Sequence, residues 1–314
     1  MTSIAIEAAE PAAATPSWRR RAPRSRRQLL AAVMVLPTAL FLVTFVYLPA
    51  LLALGIGFFH YRLRGVGTTF AGLDNFKSAV TYPIFWVAAR NTGLFALIMV
   101  PTTVVLATAI ALAVNAQSRA FAVIRSIILL PYVTPVVATA IGWIWIFNPQ
   151  YGVANLVLHT FGLPESSWLL STRMALPSIA LYTLWHGLGF DVIILLGALA
   201  GLPSEVVEAA AVDGASRLRR FWHVQLPLLS PTLFFIVFIS TLGALQSFSQ
   251  IYALTSGRGG PEYATTTLML LVYQTAFADF HLSYGAAMAL ILVVMILIVV
   301  GAQRYLARRW AFYQ

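Results

Sequence analysis

The sequence predicts an all-α membrane protein, a bundle of six transmembrane helices, and three observations carry that expectation. Of its 314 residues, 60% are hydrophobic and only 10% are charged, with a mean hydropathy of +0.84, a balance outside the range of soluble globular chains. Apolar runs that reach the roughly 20 residues needed to cross a bilayer recur along the chain. Arginine clusters beside alternate runs, the asymmetry that orients membrane proteins. The net charge of +10 is spread over several loops rather than one face. It reads as orientation signals and contact with membrane lipids, and nothing points to a nucleic-acid partner. With no cysteine and five scattered histidines, the chain offers no disulfide framework, thiolate site or metal-ligand spacing.

Taken in order, residues 1–28 are Ala- and Pro-rich and then basic, which predicts a disordered basic tail. The apolar stretch behind it, 29–59, is too long for a signal-peptide core and lacks a small-residue cleavage site, so it is the first span. Further spans are expected at about 86–114, 122–147, 175–200, 228–253 and 282–306. The stretch 264–278 is apolar but short and Thr-rich, and predicts a helix lying at the outer surface or re-entering, with a seventh span as the minority alternative. Pro131 and Pro135 bend the third span. Trp143, Trp145 and Tyr151 mark where that span leaves the bilayer.

Placing the tail inside puts fourteen of the twenty basic residues on the cytoplasmic side. These are the tail arginines, Arg119, Arg125, Arg217, Arg219, Arg220, Arg304, Arg308 and Arg309. The outer side keeps Arg62, Arg64, Lys77, Arg90, Arg173 and Arg258. Both termini and the polar segment 202–227 are then cytoplasmic.

That polar segment interrupts the apolar chain between two spans. Ser204 is a candidate cap for a short helix through Ala211, Asp213-Gly214 supplies a turn, and a second helix begins near Ser216. Val206, Val207, Ala210 and Ala211 are placed to pack on the second helix. Glu208 with the small residues Ala209, Gly214 and Ala215 leaves a surface that another backbone can approach, suited to docking. The pattern Glu208-Ala209-Ala210, Asp213-Gly214-Ala215, Phe221, Leu226-Pro227 and Pro231 resembles the EAA motif of permease subunits of binding-protein-dependent ABC importers, in the form of the carbohydrate-uptake family. Leu129–Pro149 and Leu254–Phe277 are similar to further stretches of that family, so the resemblance covers about residues 30–310. Within the second of these, Gly257-Arg258-Gly259-Gly260-Pro261 carries an extra Arg inside the family's T-x-GGP pattern. FNP, the ATTTL run and the aromatic-Gln ending resemble the Ugp-type subunits for glycerol 3-phosphate and glycerophosphodiesters.

The resemblance implies a type I importer permease domain over 29–310 in a bacterial inner membrane, with a cytoplasmic coupling helix. It further implies a heterodimer with a second homologous permease, a homodimeric ATP-binding subunit and an extracytoplasmic solute-binding protein. Glu208, Ala209, Ala210, Asp213, Gly214 and Ala215 would couple to the ATPase. The implied substrate is a carbohydrate or polyol derivative, glycerol 3-phosphate or a glycerophosphodiester first and a maltose- or trehalose-type oligosaccharide second. Lys77, the one lysine, has no glycine-rich lead-in, so the chain has no P-loop and ATP with its Mg belongs to the partner.

No Ser/His/Asp or Cys/His arrangement suggests an enzyme. The candidate path residues are the polar groups expected at membrane depth. Asp191, the single acid within a predicted span, either contacts substrate hydroxyls or pairs with a neighbouring helix or a sister subunit. Gln246 and Gln250 would share a helical stripe at i, i+4, with Ser247 beside them, for hydrogen bonding either a polyol or another helix. His186 and Tyr132 are further candidates, and Arg90 and Arg258 would attract a phosphorylated substrate, dock a binding protein or snorkel. An ion-coupled secondary transporter using Asp191 is the rival reading from another class, and a non-transporting scaffold the third.

Overall fold

The computed structural model describes residues 24–61, 67–116 and 118–310. The expected tail lies outside these residues up to position 23, as do Arg62 and Arg64. The described chain falls into two units, one ending at Leu52 and one beginning at Ala53.

In the first unit, α1 (Arg24–Leu42) passes through a π turn, Val43–Tyr47, into α2 (Leu48–Ile56), so a helix is already present within the stretch expected as tail. No residue between Gln28 and Leu52 is buried. The helix stops at Ile56 rather than Phe59. There the N–H groups of Gly57 and Phe58 turn back to Leu54 and Gly55, and Phe58 O accepts from Ala71 N at 2.9 Å. A short antiparallel hairpin follows, β1 (Phe59–His60) with β2 (Thr69–Phe70), pairing Phe59 with Phe70. Asn75, on α3 (Asp74–Thr81), ties this turn down by donating to Gly57 O at 2.8 Å and Phe59 O at 3.0 Å.

The rest of the second unit is built around α8 (Ala175–Ala200), which packs against α4 (Pro83–Ala113), α5 (Arg119–Val133) and α11 (Leu226–Leu245). Apolar over most of its surface, α8 suits the centre of a bundle. Pro83 starts α4 at the position where a missing N–H costs nothing. The buried residues of α4, from Phe85, Ala88, Thr92, Phe95 and Met99 to Thr103, Ala107 and Ala111, recur every three or four positions and form one stripe. Thr103, Ala107 and Ala111 are small, which lets the helices approach closely where lipid gives no hydrophobic drive. Close approach is tightest at Gly189 of α8, where a Cβ would lie 2.3 Å from Ile128 O of α5.

Among the described residues, five helices are long and apolar enough to cross a membrane, six if a bent pair is counted as one span. That pair, α5 and α6 (Val136–Ile146), covers the stretch expected as a proline-bent span over 122–147, and the bend amounts to 99°. Thr134 between them is extended, as a residue preceding proline tends to be, and Pro135 starts α6. A correction concerns 228–253. The helix begins earlier, at α10 (Arg217–Arg220), runs through a π turn, Phe221–Gln225, into α11, and ends at Leu245. Residues Gln246 to Phe248 leave the helix, and α12 (Ser249–Thr255) starts afresh.

The stretch 264–278 is a short apolar helical segment, too short for a span. It forms α13 (Leu268–Tyr273) and a π turn, Gln274–Ala278, with Thr265, Thr266, Thr267, Leu268, Leu270, Leu271 and Thr275 buried against the rest of the protein. Thr267 caps it, accepting from Leu270 N, and packs it beside α4 and α14 (Leu282–Trp310). A further short helix, α7 (Val153–Thr160), follows α6. Its Asn155 binds Pro149 O, Ser166 O, Ser166 N and the Trp168 indole, closing the loop that leads to α8. The aromatic trio divides: Trp143 packs in the core beside Tyr182 and Phe147, whereas Trp145 and Tyr151 are exposed.

Candidate functional site

The core along α8 is interrupted. Leu176, Ile179 and Tyr182 belong to one apolar cluster with Phe95 and Met99, and Val192, Leu195 and Leu199 to another with Ala107 and Ile236. Between them, near the middle of a helix about 39 Å long, α8 faces a cavity of about 250 Å³. Thr183, Gly187 and Asp191 reach it at intervals of four residues, one face of the helix. Thr103 of α4, Tyr132 of α5, Ser240 and Gly243 of α11 and Gln250 of α12 close the other sides.

Three of the expected path residues, Tyr132, Asp191 and Gln250, therefore meet at one cavity. Asp191 is 7% exposed and, among the described residues, has neither a hydrogen-bond nor an ion-pair partner. Pairing with a neighbouring helix of this chain is thus not what holds it there. Tyr132 stacks on Phe190, with ring centroids 4.9 Å apart and planes at 19°, so the cavity has an aromatic wall beside the carboxylate. Gln250 donates to Ser247 Oγ at 2.6 Å, which orients its amide.

The other candidates stand behind or away from this cavity. Ser247 is buried, accepting from Gln250 through Oγ and from Thr267 Oγ1 through its carbonyl. Gln246 is exposed, and the break at 246–248 removes the shared stripe with Gln250. His186 bonds Thr134 O at 3.1 Å, so it satisfies the carbonyl freed at the α5–α6 bend. Thr103, Thr183, Ser240 and Phe190 were missed; the spacing of Thr183, Gly187 and Asp191 was the signal available for the α8 face.

At the C-terminal end of α8, α9 (Ser204–Val212) begins after Pro203, and Ser204 makes no cap hydrogen bond, contrary to expectation. Pro203 supplies the fixed φ instead. Gly214 turns the chain at φ +78°, with Ala215 N returning to Ala210 O at 3.0 Å. Ser216 does cap the next helix, accepting from Arg219 N. Val207 and Ala210 are half-buried against it, whereas Val206 and Ala211 are exposed, so the packing face is narrower than predicted. Glu208, Ala209, Asp213 and Gly214 are exposed on the free side, and Ala215 is half-buried.

Comparison with known proteins places this geometry. The family described as the binding-protein-dependent transport system inner membrane component matches residues 103–312. The chain belongs to that family. It is 32% identical to the sulfoquinovosyl glycerol transport system permease protein SmoG of Agrobacterium fabrum, over 88% of this chain and 89% of that one. It is 31% identical to the sn-glycerol-3-phosphate transport system permease protein UgpA of Pectobacterium atrosepticum, over 88% and 92%. A solved bacterial alginate ABC transporter, in complex with alginate pentasaccharide-bound periplasmic protein, superposes with a TM-score of 0.79 at 23% identity, covering 90% of this chain and 96% of that one. The fold is thus that of a type I importer permease. As an ABC importer permease, the chain is a multi-pass inner-membrane transport subunit rather than an enzyme, and ATP hydrolysis belongs to a partner ATPase.

Proposed function

We propose that this permease forms half of the translocation path for a carbohydrate or polyol derivative, with a second, related permease supplying the other half. A homodimeric ATPase holding ATP and Mg on the cytoplasmic side and an extracytoplasmic solute-binding protein complete the importer. Both termini of the permease face the cytoplasm, as the arginine distribution argues. The 202–227 segment enters the ATPase, with Glu208 and the exposed small residues Ala209 and Gly214 at the contact, Ala210 and Ala215 behind them, and Asp213 holding the turn. A short helix braced on a second helix that runs on into a span, Arg217–Leu245, transmits a rigid-body displacement, where a slack loop would absorb it. Rocking of the two halves then exposes the cavity to either side in turn.

The observation that carries the substrate class is the mid-helix cavity, with a stacked aromatic wall and Asp191, Gln250, Ser240, Thr103 and Thr183 around it. Hydroxyl groups need such acceptors and donors once stripped of water, and apolar sugar faces suit an aromatic plane. Glycerol 3-phosphate or a glycerophosphodiester is the first reading, supported by two relatives named for glycerol compounds. An oligosaccharide is the second reading, favoured by the absence of any cationic side chain among the described residues of the cavity. For a phosphate ester, the hydroxyl-bearing part faces this half.

The test is uptake by the reconstituted importer with its binding protein, across glycerol 3-phosphate, glycerophosphodiesters and neutral oligosaccharides. Asp191→Leu raises the apparent KM for the transported solute about tenfold to hundredfold, the loss of a charged hydrogen-bond acceptor. Asp191→Asn loses less. An unchanged KM in Asp191→Leu overturns the assignment of the cavity to the path.

A further inference from the structure

A cavity of about 510 Å³ lies at the other end of the molecule from the 202–227 segment, because it is bounded by Leu169 and Leu170, which precede α8. Arg258 is the charged side chain among its lining residues. The guanidinium is exposed and, among the described residues, makes no ion pair and donates no hydrogen bond. The nearby carboxylate of Glu262 is exposed too and leaves it unpaired. Asn148, also among the lining residues, accepts at Oδ1 from Gln150 N at 2.9 Å and Tyr151 N at 3.3 Å, and its amide nitrogen donates no hydrogen bond among the described residues.

The loop that presents Arg258 is held in an unusual backbone shape. Ser256, Gly257, Gly259, Gly260, Glu262 and Tyr263 all have φ between +49° and +76°. Left-handed residues that are not glycine each cost energy and persist only where surrounding structure imposes them. Here three elements do so. Gln274 donates to Gly257 O at 2.7 Å, Asn91 of α4 donates to Tyr263 O at 2.8 Å and Thr266 O at 3.1 Å, and Gly259 O accepts from Thr265 N at 3.0 Å. The loop is a fixed mount, so the backbone that carries Arg258 is ordered before any solute binds.

We propose that this cavity is an oxyanion site at the outer mouth, in which Arg258 and the Asn148 amide bind the phosphate, sulfonate or carboxylate group of an arriving solute. The guanidinium fork matches a planar or tetrahedral oxyanion with two parallel hydrogen bonds, and the apolar floor of Ile144, Phe147 and Leu254 takes the uncharged remainder. A single seven-residue helix, α12, joins the two sites, with Thr255 at this cavity and Gln250 at the inner one. The word "outer" rests on the import orientation proposed above; the oxyanion site itself does not.

The test is phenylglyoxal labelling of arginines in the intact detergent-purified importer, read by peptide mass spectrometry, with glycerol 3-phosphate or glycerol as protectant and no binding protein added. Labelling of Arg258 slows about threefold when the phosphate ester is present at twice its dissociation constant. Glycerol leaves the rate unchanged, and Arg173 labels equally in all samples. Asn148→Ala weakens the protection while Arg258 remains labelled. Equal labelling of Arg258 with either protectant overturns the proposal, as does protection that appears only in a further sample to which the binding protein is added, which would make Arg258 a docking residue. Retained ATP-driven uptake alongside a failed protection sinks this site and leaves the proposed function standing.

Discussion

At Gly189 the backbones of α8 and α5 come into close approach, and alanine there measures how far that closeness is required. The added methyl would sit 2.3 Å from Ile128 O and 2.9 Å from Leu129 Cα, backbone atoms of α5 that no rotamer change can move. Restoring ordinary contact pushes α5 back by about 1 Å, and such overpacking costs about 1–3 kcal/mol, here toward the upper end because backbone must shift. Better helix propensity returns up to about 1 kcal/mol. The net loss is then about 2 kcal/mol. Gly197, two turns along the same helix, has nothing within 4 Å of its would-be methyl. Gly197→Ala therefore shows only the propensity gain. The two variants differ by about 3 kcal/mol, or roughly 6–12 °C in melting temperature for a chain of this size. Thermal unfolding in one detergent gives the comparison. Because α5 carries Tyr132, its retreat also loosens the stack on Phe190, and Gly189→Ala transports more slowly than Gly197→Ala. Equal melting temperatures for the two variants would refute the close α5–α8 crossing.

Further substitutions test the neighbouring loops. Gly259→Ala places a methyl 2.0 Å from Thr266 Oγ1 at φ +76°, so it combines a clash with a left-handed alanine and destabilises by about 3 kcal/mol or more. Gly214→Ala has the same backbone strain, φ +78°, but open space, and costs about 1–2 kcal/mol; chemical or thermal unfolding separates them. Asn91→Ala strands the carbonyls of Tyr263 and Thr266 and costs about 2 kcal/mol, with faster hydrogen exchange across 256–267 as its local signature.

Much of the fold is legible because membrane helices announce themselves. The length of the apolar run and the charge beside it are local properties, and the 175–200 stretch matches α8 for that reason. The bend at 131–135 has a local cause in two prolines, although its 99° comes from packing and from His186 on Thr134 O. The break at 246–248 has no such signal. Gln-Ser-Phe reads as helix-compatible within an apolar run, and the chain leaves the helix where Ser247 O takes its hydrogen bond from Thr267, twenty residues on. That tertiary bond displaced the Gln246–Gln250 stripe. Asp191 and Tyr132 could be singled out as polar or aromatic groups at depth, but Phe190 and Ser240 look like any span residue until the helices assemble. The EAA pattern was readable because its residues are adjacent in sequence, a surface written in one segment rather than assembled from several.

The central claim, that ATP hydrolysis drives this permease through the 202–227 segment, is tested most directly with Glu208→Lys in the reconstituted importer. Glu208 is exposed on the free face of α9, so the substitution leaves folding and membrane insertion intact. ATPase activity and solute uptake are measured on the same proteoliposomes. The account predicts that hydrolysis continues while uptake stops and no longer responds to the loaded binding protein. Uptake at the unsubstituted rate, or uptake that persists without the ATPase and collapses with the membrane potential, would contradict it.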